Sequence, residues 1–283
     1  MIKKKKTIIL LVIAAAILLP LLIWTVWSNT ALVLTEYTVQ SPELPSAFDG
    51  FRIAHISDLH NAEMGSGNGK LLAMLRSAQP DIIAITGDLI DSRRTDVSVA
   101  LEFAEAAMNI APCYYVTGNH ESRVEEYAQL KAGLLALGVV VLENDSVTLE
   151  RDRQTVTLLG VTDPEFEADY WLVFPEEVMD KYLAALPQTE GFRLLLSHRP
   201  EYMNMYAQCG FNLVLSGHAH GGQFRLPIIG GLYAPGQGLF PEYDEGLFSV
   251  EGTQMIVSRG IGNSAFPLRF NNRPEVVLIT LTE

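Results

Sequence analysis

The sequence predicts an α/β domain with a mixed β-sheet, preceded by a transmembrane helix. Three features predict it: a long uncharged run at the start, short apolar runs of strand length from Phe51 onward, and helical stretches between several of them. Strand–helix–strand alternation is typical of α/β folds with parallel pairing. Helices become rarer towards the C-terminus, so we expect antiparallel pairs as well. With 48% of its 283 residues apolar, the chain can bury a substantial core.

The first element is the uncharged run Thr7–Trp27, which follows the basic tail MIKKKK. As a helix it would extend about 30 Å, the thickness of a bilayer core. Pro20 is tolerated in such a span, and Trp24 and Trp27 suit the aromatic belt at a membrane interface. A cleaved signal peptide has a shorter apolar region and a small-residue cleavage site, and no clear site of that kind follows here. We therefore expect an uncleaved anchor.

The anchor divides the chain into four predicted parts. Residues 1–6 form a cytoplasmic basic tail, 7–27 the transmembrane anchor, 28–48 a linker with two prolines and a short β-like run, and 49–283 the folded domain. Basic residues beside a span tend to stay on the cytoplasmic side. We therefore expect a single-pass protein of the cell membrane with an extracytoplasmic domain.

The folded domain alternates between two kinds of segment. Its predicted strands have the length and β-branching of buried strands, and they are Phe51–Ile56, Ile82–Thr86, Cys113–Val116, Val139–Leu142, Thr155–Gly160, Phe192–Leu196, Leu213–Leu215, Met255–Val257 and Val276–Leu281. The helical stretches between them are Leu71–Ser77, Val97–Met108 and Glu125–Leu137.

Charge and cysteine content exclude some functions. Residues 31–283 carry 16 basic and 33 acidic side chains, a formal net charge of −17. Such a body repels nucleic acid, whose binding depends on Lys and Arg, and it suits a protein that collects cations. Cys113 and Cys209 have no CxxC neighbour, so a thiolate zinc site is not expected. They are either one disulfide or two buried free thiols.

Polar side chains concentrate where the predicted strands end. Five of the six histidines stand there, together with two aspartates and one asparagine. In α/β sheets the carboxyl ends of strands form the ligand crevice, so we expect these groups to converge. The residues are Asp58, His60, Asp88, Asn119, His120, His198, His218 and His220.

This residue set predicts a dinuclear metal site. It is too large for a proton relay, but it matches two metal ions that share a bridging carboxylate, for which Asp88 has two oxygens. Mixed nitrogen and oxygen ligands suit Mn, Fe or Zn better than Ca or Mg. Gly87, Gly118 and Gly217 are expected to let the backbone turn sharply straight after a strand.

The ordered motifs D-x-H, G-D, G-N-H-E, H and G-H-x-H, spread over Asp58–His220, resemble those of the calcineurin-like metallophosphoesterase superfamily. The resemblance covers about residues 49–283. The segments LPSAFDGFRIAHISDLHN, GHAHGGQFRLP and SRGIGNSAFPLRF (258–270) further resemble its YkuE/YaeI-like branch of membrane-associated phosphodiesterases. The resemblance implies a sandwich of two mixed β-sheets flanked by helices, and it makes residues 49–283 a metallophosphoesterase catalytic domain.

The resemblance also implies a role for each polar residue. Asp58, His60 and His220 would bind one metal ion, Asp88 would bridge, and the second ion would take Asn119, His198 and His218. A hydroxide between the ions would attack phosphorus, and His120 would act as general acid or transition-state donor. The tyrosine that ligates ferric iron in purple acid phosphatases is replaced here by Asp91, so a tyrosinate–iron site is not expected.

Three residues outside these motifs are candidate substrate contacts. Arg259 and Asn263 could approach a substrate phosphate, with a structural arginine that fixes its loop as the equal alternative. Gln223 is the third candidate. The apolar stretch Leu226–Tyr243 is expected to be a packed surface loop, with a membrane-facing flap as the alternative.

The predicted function is hydrolysis of phosphodiester or diphosphate bonds by a membrane-anchored, metal-dependent phosphoesterase. The cofactors are two divalent ions, Mn²⁺ foremost and Zn²⁺ or Fe²⁺ as alternatives. The expected substrate is an envelope lipid or a nucleotide-sugar compound, and no nucleic acid partner is expected. A metal-binding scaffold without activity and a nuclease are the alternatives.

Overall fold

The structure is a computed structural model that describes residues 2–169, 171–263 and 266–283. Met1 of the predicted basic tail, and Ser264 and Ala265 of the 258–270 segment, lie outside the described residues. The helices are α1 (Ile2–Thr30), α2 (Gly69–Ala78), α3 (Val97–Met108), α4 (Asn119–Ser122), α5 (Tyr127–Ala136), α6 (Pro175–Ala185) and α7 (Met203–Gln208).

The strands, in chain order, are β1 (Val33–Gln40), β2 (Arg52–Ile56), β3 (Ile82–Thr86), β4 (Cys113–Val116), β5 (Val140–Val141), β6 (Asp145–Arg151), β7 (Gln154–Gly160), β8 (Arg193–Leu196), β9 (Leu213–Ser216), β10 (Arg225–Leu226), β11 (Gly230–Gly231), β12 (Tyr233–Ala234), β13 (Gly238–Leu239), β14 (Gly246–Val250), β15 (Thr253–Val257) and β16 (Glu275–Thr282).

The larger strands form two mixed sheets. The first has the strand order β1-β16-β2-β3-β4-β5, and the second has the order β14-β15-β9-β8-β7-β6. In the first sheet β16 runs antiparallel to β2, and the other pairs are parallel. In the second, the outer pairs are antiparallel around a parallel centre. The predicted sandwich of two mixed β-sheets flanked by helices is confirmed.

The core has three layers. Side chains from both sheets meet in the middle, where Ile53, Val116, Leu194, Leu215 and Val277 are almost fully buried. Helices α2, α3 and α5 cover the outer face of the first sheet, and α6 and α7 cover that of the second. Because both faces are covered, the central strands are apolar throughout instead of alternating. Each buried Leu, Ile or Val contributes about 1.5–3 kcal/mol, so the strand ends are held firmly.

The carboxyl ends of β2, β3, β4, β8 and β9 meet at one edge of the sandwich. Backbone hydrogen bonds connect the loops that follow them. The N–H of Asp58 donates to Gly87 O (3.1 Å), that of His60 donates to Asp88 O (2.9 Å), and that of Gly217 donates to His198 O (3.0 Å). The loops therefore support each other as one unit.

The start of the domain differs from the expected linker at 28–48. Residues 33–40 form β1, which pairs in parallel with β16 along the edge of the first sheet. Its residues are mostly half-exposed and include Thr, Glu and Gln. An edge strand of this kind carries a weak apolar signal, and the nearby prolines made it resemble a linker.

Two further expectations concern the anchor and the thiols. Among the described residues, one helix is long and apolar enough to cross a membrane. It runs over Lys4–Thr30, and its most apolar part has a mean hydropathy of 2.9 and is not buried against the body, whereas Ser28 near its end is buried. Cys113 and Cys209 are free, and they contact core layers on opposite outer faces of the sandwich. The disulfide alternative is therefore wrong for this fold.

Candidate metal centre

The first cluster of candidate ligands comprises Asp58, His60 and His220, all buried. His220 Nε2 lies 3.2 Å from His60 Nε2 and 3.3 Å from Asp58 Oδ1. The backbone N–H of His218 donates to Asp58 Oδ2 (3.1 Å) and fixes that carboxylate. Three donor atoms from loops of both sheets thus point at one position.

The second cluster comprises Asp88, Asn119, His198 and His218. His198 Nε2 lies 3.1 Å from His218 Nδ1, 3.2 Å from Asn119 Oδ1 and 3.3 Å from Asp88 Oδ2. On the other side of the ring, His198 Nδ1–H donates to Thr86 O (2.7 Å). That hydrogen bond fixes the ring and leaves Nε2 facing the cluster.

One oxygen of Asp88 connects the two clusters. Asp88 Oδ2 lies 3.5 Å from His60 Nε2 in the first cluster and 3.3 Å from His198 Nε2 in the second. The other oxygen, Oδ1, accepts the backbone N–H of His120 (2.8 Å). The carboxylate is therefore held by one oxygen, and the other is left to be shared between the clusters.

The residues fit a pair of cations. Ligand atoms about 2.1 Å from a common ion, at tetrahedral or octahedral angles, are spaced by about 3.0–3.4 Å. Five contacts of 3.1–3.3 Å within the clusters match that spacing, and the distance from His60 Nε2 to Asp58 Oδ1 is longer, at 3.8 Å. Asn119 also aims its amide oxygen at the imidazoles, whereas the reversed amide would aim N–H groups at them. A cation in the second cluster favours the orientation with the oxygen inward.

Backbone conformation marks the same residues. Asp58, His60, Asp88, His218 and His220 all have φ between 47° and 66°. Residues other than glycine rarely adopt this left-handed region, and its cost persists where the surrounding structure determines it fully. Eleven other described non-glycine residues share this conformation, but its occurrence at five of the seven candidate ligands is typical of functional sites.

The three glycines expected to allow sharp turns have different functions. Gly87 has φ of 82°, which agrees with that expectation. Gly118 and Gly217 instead allow close approach. A Cβ on Gly118 would lie 2.3 Å from Asp88 Oδ1, and one on Gly217 would lie 1.8 Å from Ser57 Oγ and 2.4 Å from Asp58 Oδ2. A side chain at either position would displace a candidate ligand.

Electrostatics favours added positive charge in the centre. Burial alone lowers the pKa of His198, but the carboxylates of Asp88, Asp58 and Asp163 together outweigh it and raise that pKa to about 10. Burial lowers the pKa of His220 to about 3, although Asp58 opposes the shift. Without metal, Asp88 thus keeps a proton on His198. Because metal ligation requires a deprotonated imidazole nitrogen, a cation would replace that proton.

His120 lies beside the two clusters, and it is not one of the candidate ligands in the second cluster. Its Nδ1 accepts the backbone N–H of Ser92 (2.9 Å), so the neutral ring carries its proton on Nε2. Burial lowers the pKa of His120 to about 4, against the opposing effect of Asp88. Its ring stands edge-on to that of His60 with 4.5 Å between centroids. At neutral pH the ring is an uncharged hydrogen-bond donor.

A cleft of about 780 Å³ leads to the clusters. Its lining includes Asp88, Asn119, His120, His218 and His220, together with Arg123, Glu165 and Arg199. This volume is typical of a small-molecule site. The candidate centre is thus buried on the protein side and open to a ligand on the other.

Comparison with known proteins agrees with this geometry. The model of the family described as "Calcineurin-like phosphoesterase" matches residues 51–222, which is more than half of the chain and includes every candidate ligand. The chain belongs to the calcineurin-like phosphoesterase family. Enzymes of this family are dinuclear-metal phosphoester hydrolases, and the chain is a metal-dependent phosphoric ester hydrolase.

Three relatives of this metallophosphoesterase cover most of its length. It is 30% identical to the uncharacterized metallophosphoesterase YkuE of Bacillus subtilis over 87% of this chain and 84% of that one. It is 28% identical to phosphodiesterase YaeI of Escherichia coli over 82% of each chain. It is 31% identical to a "Transmembrane protein with metallophosphoesterase domain" of Danio rerio, over 85% of this chain and 55% of that protein.

The candidate substrate contacts do not reach the cleft of this phosphoesterase. Arg259 donates to Glu275 Oε1 (2.7 Å) and pairs with Glu245 Oε2 (2.9 Å), which agrees with the alternative of a structural arginine. Asn263 donates to Pro267 O (3.1 Å). Gln223 donates to the carbonyls of Phe266 and Leu268, at 2.9 and 2.7 Å. These hydrogen bonds and ion pairs go to neighbouring protein groups, and none of the three residues lines the cleft, so their contact with substrate stays a prediction.

Sequence reasoning missed three residues. Arg269 is fully buried; its Nη2 donates to Gly262 O and lies 3.4 Å from His220 Nδ1. Glu121 accepts the backbone N–H groups of Asp88 (2.9 Å) and Gly118 (2.8 Å). Arg199 binds Asp163 and Glu165 beside the cleft. Arg199 follows His198, and Glu121 completes the GNHE motif, so proximity in sequence was a usable signal for these two.

Asp91, which stands where purple acid phosphatases have a tyrosine, is a buried carboxylate. It accepts from the backbone N–H of Arg93 (2.9 Å) and from its guanidinium (2.8 and 2.9 Å), and it lies 3.6 Å from His120 Nδ1. The Arg93 guanidinium therefore compensates the negative charge of Asp91 on one side of the metal centre.

Proposed function

We propose that this protein is a membrane-anchored phosphoesterase that hydrolyses phosphodiester or diphosphate bonds at two divalent metal ions. The position of Asp88 carries the proposal. Its Oδ2 lies close to both His60 Nε2 and His198 Nε2, and its Oδ1 accepts the backbone N–H of His120. A single carboxylate oxygen between two ligand groups is the arrangement that a dinuclear phosphoesterase requires.

The proposed ligands follow the two clusters. Asp58, His60 and His220 hold the first ion, Asp88 bridges, and Asn119, His198 and His218 hold the second. Nitrogen predominates in this mixed set, and that favours Mn²⁺, with Zn²⁺ and Fe²⁺ as alternatives, over Mg²⁺ or Ca²⁺.

Catalysis combines these ions with the uncharged His120. When bound, two divalent cations supply Lewis acidity, which polarises the phosphoryl group and makes hydroxide from water at neutral pH for attack on phosphorus. His120 Nε2–H donates to a phosphoryl oxygen as charge develops there, because the backbone N–H of Ser92 occupies Nδ1. Arg123 also lines the cleft, and its guanidinium can orient the phosphate.

The proposed substrates are envelope lipids or nucleotide-sugar compounds with a phosphodiester or diphosphate group. The cleft exceeds the size of a phosphate ion and leaves room for substituents on phosphorus. A formal net charge of −13 for the whole chain disfavours nucleic acid. An uncharged helix long enough to span a bilayer, with four lysines before it, supports a single-pass protein with an extracytoplasmic catalytic domain.

The test uses the full-length protein in detergent, stripped of metal and resupplied with Mn²⁺, Zn²⁺ or Fe²⁺. Turnover of bis(4-nitrophenyl) phosphate and of 4-nitrophenyl phosphate is then measured. We expect metal-dependent turnover, with a higher rate on the diester, and a loss of about 10³-fold in Asp88→Asn. Asp145→Asn, an exposed carboxylate change, is the matched control. Stoichiometric metal binding without turnover of either ester would instead support a scaffold.

A further inference from the structure

An apolar groove lies beside the metal centre. It has a volume of about 310 Å³, and its walls include Phe224, Tyr233 and Phe266. His220 of the first ligand cluster lines both this groove and the cleft, as do Tyr233 and Pro235. A substrate with its phosphate on the metal centre can therefore place an apolar substituent in the groove without leaving the protein surface.

Large apolar side chains are exposed on the chain segments that carry the groove residues Phe224, Tyr233 and Phe266. They form what we call the apolar rim: Ile228, Ile229, Leu239, Phe240, Phe266 and Leu268. Ile228 is fully exposed, Leu239 is 72% exposed and Phe240 is 64% exposed. Backbone hydrogen bonds join the segments of the rim, since Phe240 N–H donates to Leu232 O (2.9 Å) and Arg225 N–H donates to Phe270 O (3.0 Å). Exposed apolar side chains grouped on adjoining segments are typical of a contact surface.

The rim side chains are not explained by local backbone preference. Ile228 has φ of 74° and Phe240 has φ of 55°, values at which Gly or Asn is favoured and a β-branched residue is an outlier. Ile228 gains no packing in return, because it is fully exposed. Both folding and solubility would favour another residue, so an apolar partner outside the chain accounts for its presence.

The end of the anchor helix is attached to the same loop that carries Phe266 and Leu268. Asn29 Nδ2 donates to Arg269 O (2.8 Å), and Arg269 N–H donates to Asn29 Oδ1 (2.9 Å). Asn271 N–H donates to the buried Ser28 Oγ (3.1 Å), and the Arg273 guanidinium lies 4.8 Å from the Trp27 ring. If α1 spans a bilayer with its tryptophans at the interface, this loop lies at interface level.

We propose that the apolar rim rests in the membrane leaflet from which α1 emerges, so that the groove opens onto the bilayer and receives the hydrocarbon part of a lipid phosphoester. The proposal deepens the proposed function and rests on it for the anchor and for the reaction. The site would thus act on lipids of its own membrane, which enter sideways from the leaflet. A membrane fits better than a protein partner because the attached helix already fixes the distance between this surface and the bilayer.

Charge contributes little to this contact. The body carries an excess of acidic residues, and Arg225, the basic residue next to the rim, is paired with Asp244 (2.7 Å) and Glu245 (2.8 Å). Polybasic surfaces bind anionic lipids and release them in salt. The rim is instead expected to insert through apolar contact, with equal insertion in neutral and anionic bilayers and at low and high salt.

The first experiment locates the rim relative to the bilayer. The full chain, in a Cys209→Ser background, carries a fluorescent label at Ile228→Cys or, as the control, at the 53% exposed Leu135→Cys on α5. In phosphatidylcholine nanodiscs we expect a nitroxide-bearing lipid to quench the label at 228 several-fold more than that at 135, and iodide to show the reverse. Equal quenching at the two positions overturns the proposal. Protection of 228 from iodide without quenching by the lipid points to protein contact and also overturns it.

The second experiment tests the route of the substrate. The double change Ile228→Asn and Ile229→Ser removes apolar surface, and Asn suits the backbone at 228. We expect turnover of phosphatidyl-4-nitrophenol in phosphatidylcholine vesicles to fall about tenfold, with turnover of soluble bis(4-nitrophenyl) phosphate unchanged. An equal fall on both substrates, or no fall on the vesicles, contradicts the proposal. Lipid quenching at 228 in a protein that hydrolyses neither ester would refute the proposed function and leave the membrane contact in place.

Discussion

The metal centre and the apolar rim adjoin each other but are built in opposite ways. The ligands are buried, follow central strands of the two sheets, and are fixed by backbone hydrogen bonds between loops. The rim is exposed and lies in or near strands of only two residues, with Phe266 and Leu268 outside any strand. The first construction fixes the positions of ligand atoms, and the second presents a surface. We infer that the centre determines the reaction and the rim determines which substrates reach it.

Among the single substitutions, Gly217→Ala is expected to disturb the metal centre most. The added Cβ would meet Ser57 Oγ at 1.8 Å and Asp58 Oδ2 at 2.4 Å, so Asp58 must move. We expect loss of the first ion and a fall of about 10³-fold in turnover of a soluble diester. Metal content by mass spectrometry and kcat check this. Gly69→Ala, at a helix start with open space around it, is the control, and equal behaviour of the two variants would contradict the close-approach argument.

His120→Gln separates the reaction from metal binding within the centre. We expect kcat to fall about 10²-fold while both ions stay bound. Because burial lowers the pKa of His120 to about 4, the ring is neutral above that pH and becomes charged only below it. Loss of the ring should therefore leave the shape of the pH–rate profile unchanged between about pH 5 and 8. Disappearance of a basic limb in the variant would show instead that His120 acts as a protonated general acid.

Arg269→Met tests the connection between centre and rim. Arg269 touches His220 on one side and the attachment of the anchor helix on the other. Outer groups that orient a ligand are worth about 10–100-fold in metal affinity. We expect about a tenfold weaker first ion, measured by competition with a chelator. Recovery of the affinity in Arg269→Lys would support an orienting effect of the charge, and unchanged affinity in Arg269→Met would exclude that effect.

Phe240→Asn should have the smallest effect on a soluble substrate. The side chain is exposed and its backbone has φ of 55°, which Asn accommodates. We expect kcat/KM for a soluble diester and the free energy of unfolding to stay within about 0.5 kcal/mol of the original values. A large loss on the soluble substrate would place Phe240 in the catalytic body and remove the distinction between the two regions.

The two regions also differ in how well the sequence predicted them. The buried central strands, such as Ile82–Thr86 and Cys113–Val116, appear at the predicted positions because burial on both faces produces an apolar run. The convergence of the candidate ligands followed from their place after those strands. The edge strand β1 was predicted only as a short β-like run within a linker, because it is half-exposed and has no such apolar run.

The candidate substrate contacts show why sequence was insufficient near the rim. An arginine in a loop can serve a ligand or a neighbouring carboxylate, and here Glu245 and Glu275 take Arg259. Arg269 lies only ten residues further along the chain, yet it is the one that reaches His220. Which of the two arginines reaches the metal centre depends on how distant segments pack. Neither arginine lies in a local sequence pattern that distinguishes it.

The central claim is that Asp88 bridges two ions, and electron paramagnetic resonance of the manganese-loaded full-length protein tests it most directly. With two Mn²⁺ bound per chain, we predict the multiline signal of an exchange-coupled pair, since one carboxylate oxygen lies between the two clusters. Asp88→Asn should convert this signal into that of isolated Mn²⁺ or lose one ion. An isolated-ion signal from the unaltered protein at full loading would contradict the bridged centre.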